Sequence, residues 1–313
     1  MGLGHMGEEK QWTRWRRDEW RLVPEPGPTT DYVTRMARNL FVDRVFPPAV
    51  LSDQAALSFR LERRRRQGNG LLGWLMPHME ATIKVYLEDR RGGQYRHDRP
   101  NPEAVAYLTR SDVLMYFFDP TYDLRAAPEG ETRSDSFSYF HRMADELRLA
   151  AVRQRGSRGL YRGALQQHLA VCIPKLDEKW LFEAARRHGC MELDPDTRLP
   201  WVPPGQARRF FEAVTYDLCS IDADYLRREV SRTFHPKRTS YHALSSIGYY
   251  MPDGYLSLTQ TSNRADPPLA EIATPGDGPA PSPGLRGSIV TPIHVLDPLI
   301  SLVERSPKLG GRQ

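Results

Sequence analysis

The sequence predicts an α/β fold, a mostly parallel central sheet flanked by helices, and three observations carry that expectation. Short apolar runs alternate with stretches whose apolar residues recur every three or four positions, the pattern of strands joined by crossover helices. Two runs, DVLMYFF (112–118) and HLAVCI (168–173), are apolar at nearly every position, as strands covered on both faces must be. Clusters of Pro, Gly and polar residues punctuate the chain between the runs. The whole length, 1–313, is expected to form a single α/β domain, with the Pro- and Gly-rich stretch 263–287 a loop within it, unable to fold alone.

The elements follow in order. TTDYVTRMARNLFV (29–42) opens on Thr and Asp, good helix caps. ALSFRLE (56–62) and TIKVYLE (82–88) alternate apolar with polar residues, so they are placed as a peripheral pair of strands, with RRRRQGNG (63–70) a turn between strands. PEAVAYLTR (102–110) carries proline where a first helical turn tolerates it. The central strand DVLMYFF follows, then a helix over SYFHRMADELRLAAVRQ (138–154) and the second central strand HLAVCI. Helices are read over DEKWLFEAARR (177–187), QARRFFEAVTYDLC (206–219) and IHVLDPLISLVER (293–305), and a fifth strand over SIGYYM (246–251).

Composition narrows the function. With 40% hydrophobic and 27% charged residues the chain can bury a substantial core. A net charge of +5, mostly an arginine excess, suits phosphate or carboxylate recognition but falls short of a dedicated nucleic-acid binder. Nucleic acid is therefore not the expected partner. Cys172, Cys190 and Cys219 form neither a CxxC pair nor an even-numbered disulfide framework, so a reducing cytoplasm is expected. There is no apolar run of about 18 residues, and MGLGHMGEEKQWTRWRRDEWR lacks a signal-peptide core, so no membrane segment is expected. No HxxxH, HExxH or GxSxG occurs, which removes the usual zinc hydrolases and the α/β-hydrolase nucleophile elbow. His141 and His242 read as surface or satisfied histidines, and Asp112 and Asp119 as a strand start and a turn before Pro120. Arg63 to Arg66 read as a solvated hairpin turn. Trp12, Trp15 and Trp20, interleaved with arginines, read as a helix packing its indoles on a neighbour.

Two strand ends carry chemistry, because ligands of open α/β sheets collect beyond the carboxyl ends of the strands. TIKVYLED-RRGG sets Asp89 after one strand and Gly92 three residues on. Such a carboxylate can hold Mg²⁺ through water while a glycine N–H approaches a terminal phosphate. HLAVCI-PKLD sets Lys175 and Asp177 after another strand. A carboxylate there can accept from N1–H and the exocyclic amine of guanine, with the lysine stem across the ring. Lysine occurs only six times, so this pair is the more specific signal. Plainer roles fit the same residues: a turn for Asp89 and Gly92, a helix N-cap for Asp177, and strand-edge hydroxyls for Ser245 and Ser246.

The order of these segments resembles Ras-like P-loop GTPases, and more narrowly the bacterial double-GTPase type domains of conflict and signalling systems. EWRLVPEPGPTTDYVTRMARNLFVDRVFPPAV is similar to the segment leading to the first switch, and YLEDRRGGQY to the Asp-glycine motif and second switch. LTRSDVLMYFFDPTYD looks like the strand after it and LAVCIPKLDE like the base-specificity motif. ALSSIGYY resembles the late serine loop and TPIHVLDPLISLVER the closing helix. The resemblance implies a P-loop NTPase-like fold, GTP or GDP and Mg²⁺ as cofactors, slow regulated hydrolysis and a partner protein in a regulatory system. It implies Asp89 for Mg²⁺, Gly92 for the terminal phosphate, Lys175 and Asp177 for guanine, and the Ser245–Ser246 backbone for the guanine carbonyl.

The sequence departs from that pattern at the phosphate end. No GxxxxGK[ST] (Walker A) occurs, and GLGHMG (2–7) has no strand before it. The N-terminal strand and phosphate loop are expected either to lie upstream of residue 1 or to have been lost. Val50 stands where a switch threonine would, and Pro174 where an Asn or Thr would precede the lysine. The expected function is a guanine-nucleotide-binding, GTPase-like regulatory domain with a truncated or degenerate phosphate loop, with no catalytic residue assigned. The alternatives are a non-catalytic pseudo-GTPase scaffold and a basic module using the arginine clusters.

Overall fold

A computed structural model describes residues 20–44, 57–63, 82–87, 101–120, 136–156, 160–194, 197–218, 221–265, 284–286 and 290–305. The fold is α/β, with a three-stranded parallel sheet flanked by helices. The chain clusters into two compact units. One comprises Met1–Arg90, Arg264–Arg286 and His294–Gln313, and the other Arg91–Asn263 and Gly287–Ile293.

The first unit holds an antiparallel sheet of β1 (Trp20–Pro24), β2 (Leu57–Arg63) and β3 (Thr82–Leu87), with helix α1 (Pro28–Phe41) between the first two in sequence. The alternation in β2 does what period two requires: Phe59 and Leu61 are buried, while Arg60 and Glu62 take the other face. There Arg21 pairs with Glu62 at 2.9 Å and Arg60 with Glu25 at 3.0 Å. Helix α1 is docked by the Ser58 N–H, which donates to the Thr29 hydroxyl at 2.9 Å. Both β2 and β3 were expected as peripheral strands of one mostly parallel sheet. They are paired antiparallel, as a hairpin turn between them requires, but in a separate sheet, completed by a strand at Trp20–Pro24, whose Trp20 was expected on a helix. Trp20 is 5% exposed and starts that strand, packing with Leu61.

In the second unit α2 (Pro102–Arg110) begins at Asn101, whose side chain accepts from the Glu103 N–H at 2.9 Å. It leads into β4 (Val113–Phe117), then α3 (Ser136–Arg155), the hairpin β5 (Leu160–Tyr161) and β6 (Ala164–Leu165), and β7 (His168–Ile173). After β7 come α4 (Lys179–Arg187), the hairpin β8 (Glu192–Leu193) and β9 (Pro200–Trp201), α5 (Pro204–Asp217), α6 (Ile221–Thr233) and β10 (Thr239–Ala243). The sheet order is β10-β7-β4, all parallel, with Val113 opposite His168 and Thr239 opposite Leu169.

All six residues of β7 are buried, which explains its unbroken apolar run. Leu169, Val171 and Ile173 face a core shared with Leu114, Phe118, Leu147, Phe210, Phe211, Leu226 and Val230. The other face, with His168, Ala170 and Cys172 beside Ser240 and His242, is buried as well. Cys172 and Cys190 are free thiols, and burial pushes the Cys172 thiol up to about 12.

The fifth strand is not SIGYYM but Thr239–Ala243, seven residues earlier. Gly248 at φ +69° takes a left-handed turn inside the expected strand, leaving only isolated bridges from Ser245 to Ile293 and from Tyr249 to Ser262.

The chain returns to the first unit with β11 (Arg264–Ala265) paired to β12 (Gly284–Leu285), the two ends of the Pro/Gly-rich stretch. Last comes α7 (Asp297–Arg305), whose Leu296 and Ile300 neighbourhood packs with Trp20 and Leu61. This helix starts four residues later than the sequence suggests, because both backbone groups of Ile293 are bonded to Ser245 and Pro298 suits a first turn. No described helix is long and apolar enough to cross a membrane.

Candidate functional site

Because β4, β7 and β10 run parallel, their carboxyl ends share one rim, and three polar segments meet there. Asp119 follows β4, Lys175 and Asp177 follow β7, and Ser245 follows β10. Pro174 keeps Ile173 extended to the strand's last residue. Lys175 then turns left-handed at φ +61°, a conformation that costs an L-residue about 1–2 kcal/mol. Its backbone carbonyl accepts from the Glu178 N–H at 2.8 Å, and its Nζ donates to Asp119 Oδ2 at 2.5 Å, which offset that cost. The Leu176 N–H donates to the Leu244 carbonyl at 3.0 Å and the Leu244 N–H to the Ile173 carbonyl at 2.9 Å, so the loops after β7 and β10 are stitched together.

Asp177 lies at the centre of the corner, 2% exposed. Its Oδ1 accepts from the Ser245 hydroxyl, and its Oδ2 from the Ser262 hydroxyl at 2.5 Å. Ser245 Oγ in turn accepts from the Gly248 N–H at 2.8 Å. Burial raises the Asp177 carboxyl above its ordinary range; the two serine hydroxyls, its own amide and Lys175 hold it down only in part. Tyr249 is buried beside Phe182, ring centroids 5.6 Å apart, and its hydroxyl is among the buried groups without a hydrogen-bond partner. Burial and the Asp177 charge both push the Tyr249 phenol upward. Asp177 does not cap α4; the N-cap is Glu178, one residue on.

Of the residues singled out in the sequence, the structure brings Lys175, Asp177 and Ser245 together. Ser246, next in the chain, is exposed. Asp89 and Gly92 lie outside the described residues, as do Val50, Trp12, Trp15, Cys219 and Arg64 to Arg66. The strand leading to Asp89, β3, belongs to the antiparallel sheet of the first unit. Two members of the corner were not assigned to it. Asp119 was read as a turn before Pro120, although it stands after β4 as Asp177 does after β7. Ser262 lies 85 residues from Asp177 and carries no local signal.

No family model, curated protein or solved structure matches this chain. The chemistry must therefore be read from the corner itself. Toward a guanine nucleotide with Mg²⁺, the residues present fit in part. Asp177 offers the acceptor pair a guanine edge needs, with Lys175 beside it, whereas nothing in the sequence matches a phosphate loop.

One group among the described residues has metal-ligand composition: His141 and Asp145 on α3 with Glu229 on α6, their ligand atoms within 4.8 Å of one another. Arg232 already supplies a cation there. Its guanidinium donates to Glu229 Oε1 and Oε2 at 3.0 and 3.1 Å and to Asp145 Oδ1 at 2.9 Å, and Thr233 adds a further bond to Glu229. Burial alone would raise Glu229, but these bonds outweigh it and hold the carboxyl below its usual range. The group is a partly exposed ion network joining two helices around the buried Glu229.

Proposed function

We propose that this chain is a GTPase-like regulatory α/β domain, related to the P-loop NTPase fold, in which the loop after β7 is a guanine-recognising corner. The supporting observation is the convergence of Asp119, Lys175, Asp177 and Ser245 on the carboxyl rim of three parallel strands, where open α/β sheets take ligands. Guanine would enter by replacing the Ser262 hydroxyl on Asp177 Oδ2 and stacking along the Lys175 stem. The phosphate end of such a ligand is not provided for: no GxxxxGK[ST] occurs, and β4 edges its sheet with no described strand on its outer side. Hydrolysis would need that loop to be supplied, and Asp89 and Gly92 are its proposed Mg²⁺ and phosphate contacts.

A second reading, a non-catalytic pseudo-GTPase scaffold that docks a partner protein, is favoured by one observation. Asp177 is 2% exposed with both oxygens already accepting, so the corner also works as a structural hub. Thermal unfolding of the full chain with GDP, GMP or ADP at millimolar concentration separates the two. A guanine-specific rise in the midpoint that vanishes in Asp177→Ala supports recognition. Identical curves with all three nucleotides leave the scaffold reading.

A further inference from the structure

We propose that the opposite, amino-terminal rim of the parallel sheet binds the phosphodiester backbone of a nucleic acid, through Arg162, Lys237 and Arg238 set around Tyr161. This goes beyond the guanine corner and does not depend on it. The first observation is a cluster of cations gathered on one ring. Five arginines of the second unit are paired with carboxylates: Arg187 with Asp217, Arg208 with Glu212, Arg227 and Arg228 with Asp224, Arg232 with Glu229 and Asp145. Arg162 and Arg238 instead lie over the Tyr161 ring, 5.7 and 4.8 Å from its centroid, and make no ion pair among the described residues. Lys237, exposed on the turn Pro236–Arg238, makes none either.

The second observation is how these cations are held. Arg162 sits at the tip of the β5–β6 hairpin at φ +51°, followed by Gly163 at φ +80°. A two-residue hairpin turn needs two left-handed residues, and the first is ordinarily Asn, Asp or Gly. Arg162 is exposed there, and its guanidinium is held over the Tyr161 ring. Arg238 donates to the Gln166 carbonyl while stacked on Tyr161, and the His235 ring meets Tyr161 edge-on at 5.0 Å. The bridge from Leu165 to Phe234 fastens the hairpin to the turn. Stacked guanidinium groups keep edge N–H donors free in a fixed plane, the geometry that suits phosphate oxygens.

The partner class follows from what surrounds the cations. None of the exposed large apolar residues described lies in 160–166 or 234–238, so the described surface presents no apolar wedge for a bilayer. Charge without apolar area fits a polyphosphate backbone, contacted without base readout.

The test is fluorescence anisotropy of a fluorescein-labelled 20-nucleotide single strand and its duplex with the full chain, across 25–200 mM KCl. Three neutralised phosphates give a log affinity against log salt slope of about −2 to −3. The double variant Arg162→Gln, Lys237→Gln removes two contacts while leaving Arg238 and its Gln166 bond in place. It should keep the thermal midpoint, reduce the slope by about 1.5 and lose at least tenfold in affinity at 50 mM salt. If that variant unfolds early, Lys237→Gln alone should reduce the slope by about 0.8. The proposal is overturned by no saturable binding at 25 mM KCl, by an unchanged slope in the folded variants, or by equal binding to phosphatidylserine vesicles.

Discussion

Replacing Ser245 with alanine removes a hydroxyl that serves two partners at once, donating to Asp177 Oδ1 and accepting from the Gly248 N–H at 2.8 Å. A hydrogen bond to an ionised group contributes about 1.5–3 kcal/mol, and a buried N–H left without an acceptor costs about 1–3 kcal/mol. Ser245 and Asp177 are both buried, so water does not compensate. The expected loss at pH 7.5 is therefore about 3–5 kcal/mol, read as a lower urea midpoint with an unchanged slope. Asp177 is already raised by burial, so in acid its carboxyl takes up a proton and the bond from Ser245 loses its ionic part. The loss at pH 4.5 should accordingly be the smaller one. A change under about 1 kcal/mol at both pH values would mean that Ser245 does not hold the corner together.

Five further outcomes are expected. In Asp177→Asn the penalty of a buried charge disappears. The raised carboxyl binds its proton more tightly folded than unfolded, so the stability that this group contributes is fully present below its ordinary value of 3.8 and is lost as pH rises through the elevated folded value. Urea unfolding across pH 4–8 should show a flatter profile in the variant. Gly248→Ala should cost more than about 2 kcal/mol, because φ is +69° and the new Cβ would stand 1.9 Å from the Thr291 carbonyl oxygen. Gly205→Ala, in the first turn of α5 with nothing within 4 Å, should be neutral or slightly stabilising in the same assay. Ile173→Ala, fully buried at the end of β7, should cost about 2–5 kcal/mol in urea unfolding. Arg232→Ala leaves Glu229 without two bonds from a half-exposed guanidinium and should cost about 1–2 kcal/mol at pH 7.5, much of which Glu229→Gln in the same background should restore.

The sequence reading succeeded where one physical rule dominated. HLAVCI could only be a strand covered on both faces, and Pro102–Arg110 was marked by a first-turn proline. It failed where burial and polarity disagree. Thr239–Ala243 looks polar because Ser240 and His242 fill the buried second face of the sheet. Helix α6 was missed because only Ala223, Leu226 and Val230 mark its inner face amid charges. The hairpin turn read after β2 agrees with its antiparallel pairing to β3, but their separate sheet was not legible, since alternation reports one buried face and says nothing of which sheet the strands join. In the corner, Lys175 and Asp177 were found by their place after a strand. Ser262 depended on a tertiary contact that local spacing does not encode.

Equilibrium titration of the full chain and of Ser262→Ala with a fluorescent GDP analogue, with an ADP analogue as control, bears directly on the guanine corner. Losing Ser262 frees Asp177 Oδ2, so the variant should bind the guanine analogue saturably and about five- to tenfold tighter than wild type, the worth of one hydrogen bond no longer displaced. The adenine analogue should bind neither protein. Equal affinity for both bases, or no binding by the variant at high micromolar protein, would show that the corner does not read guanine.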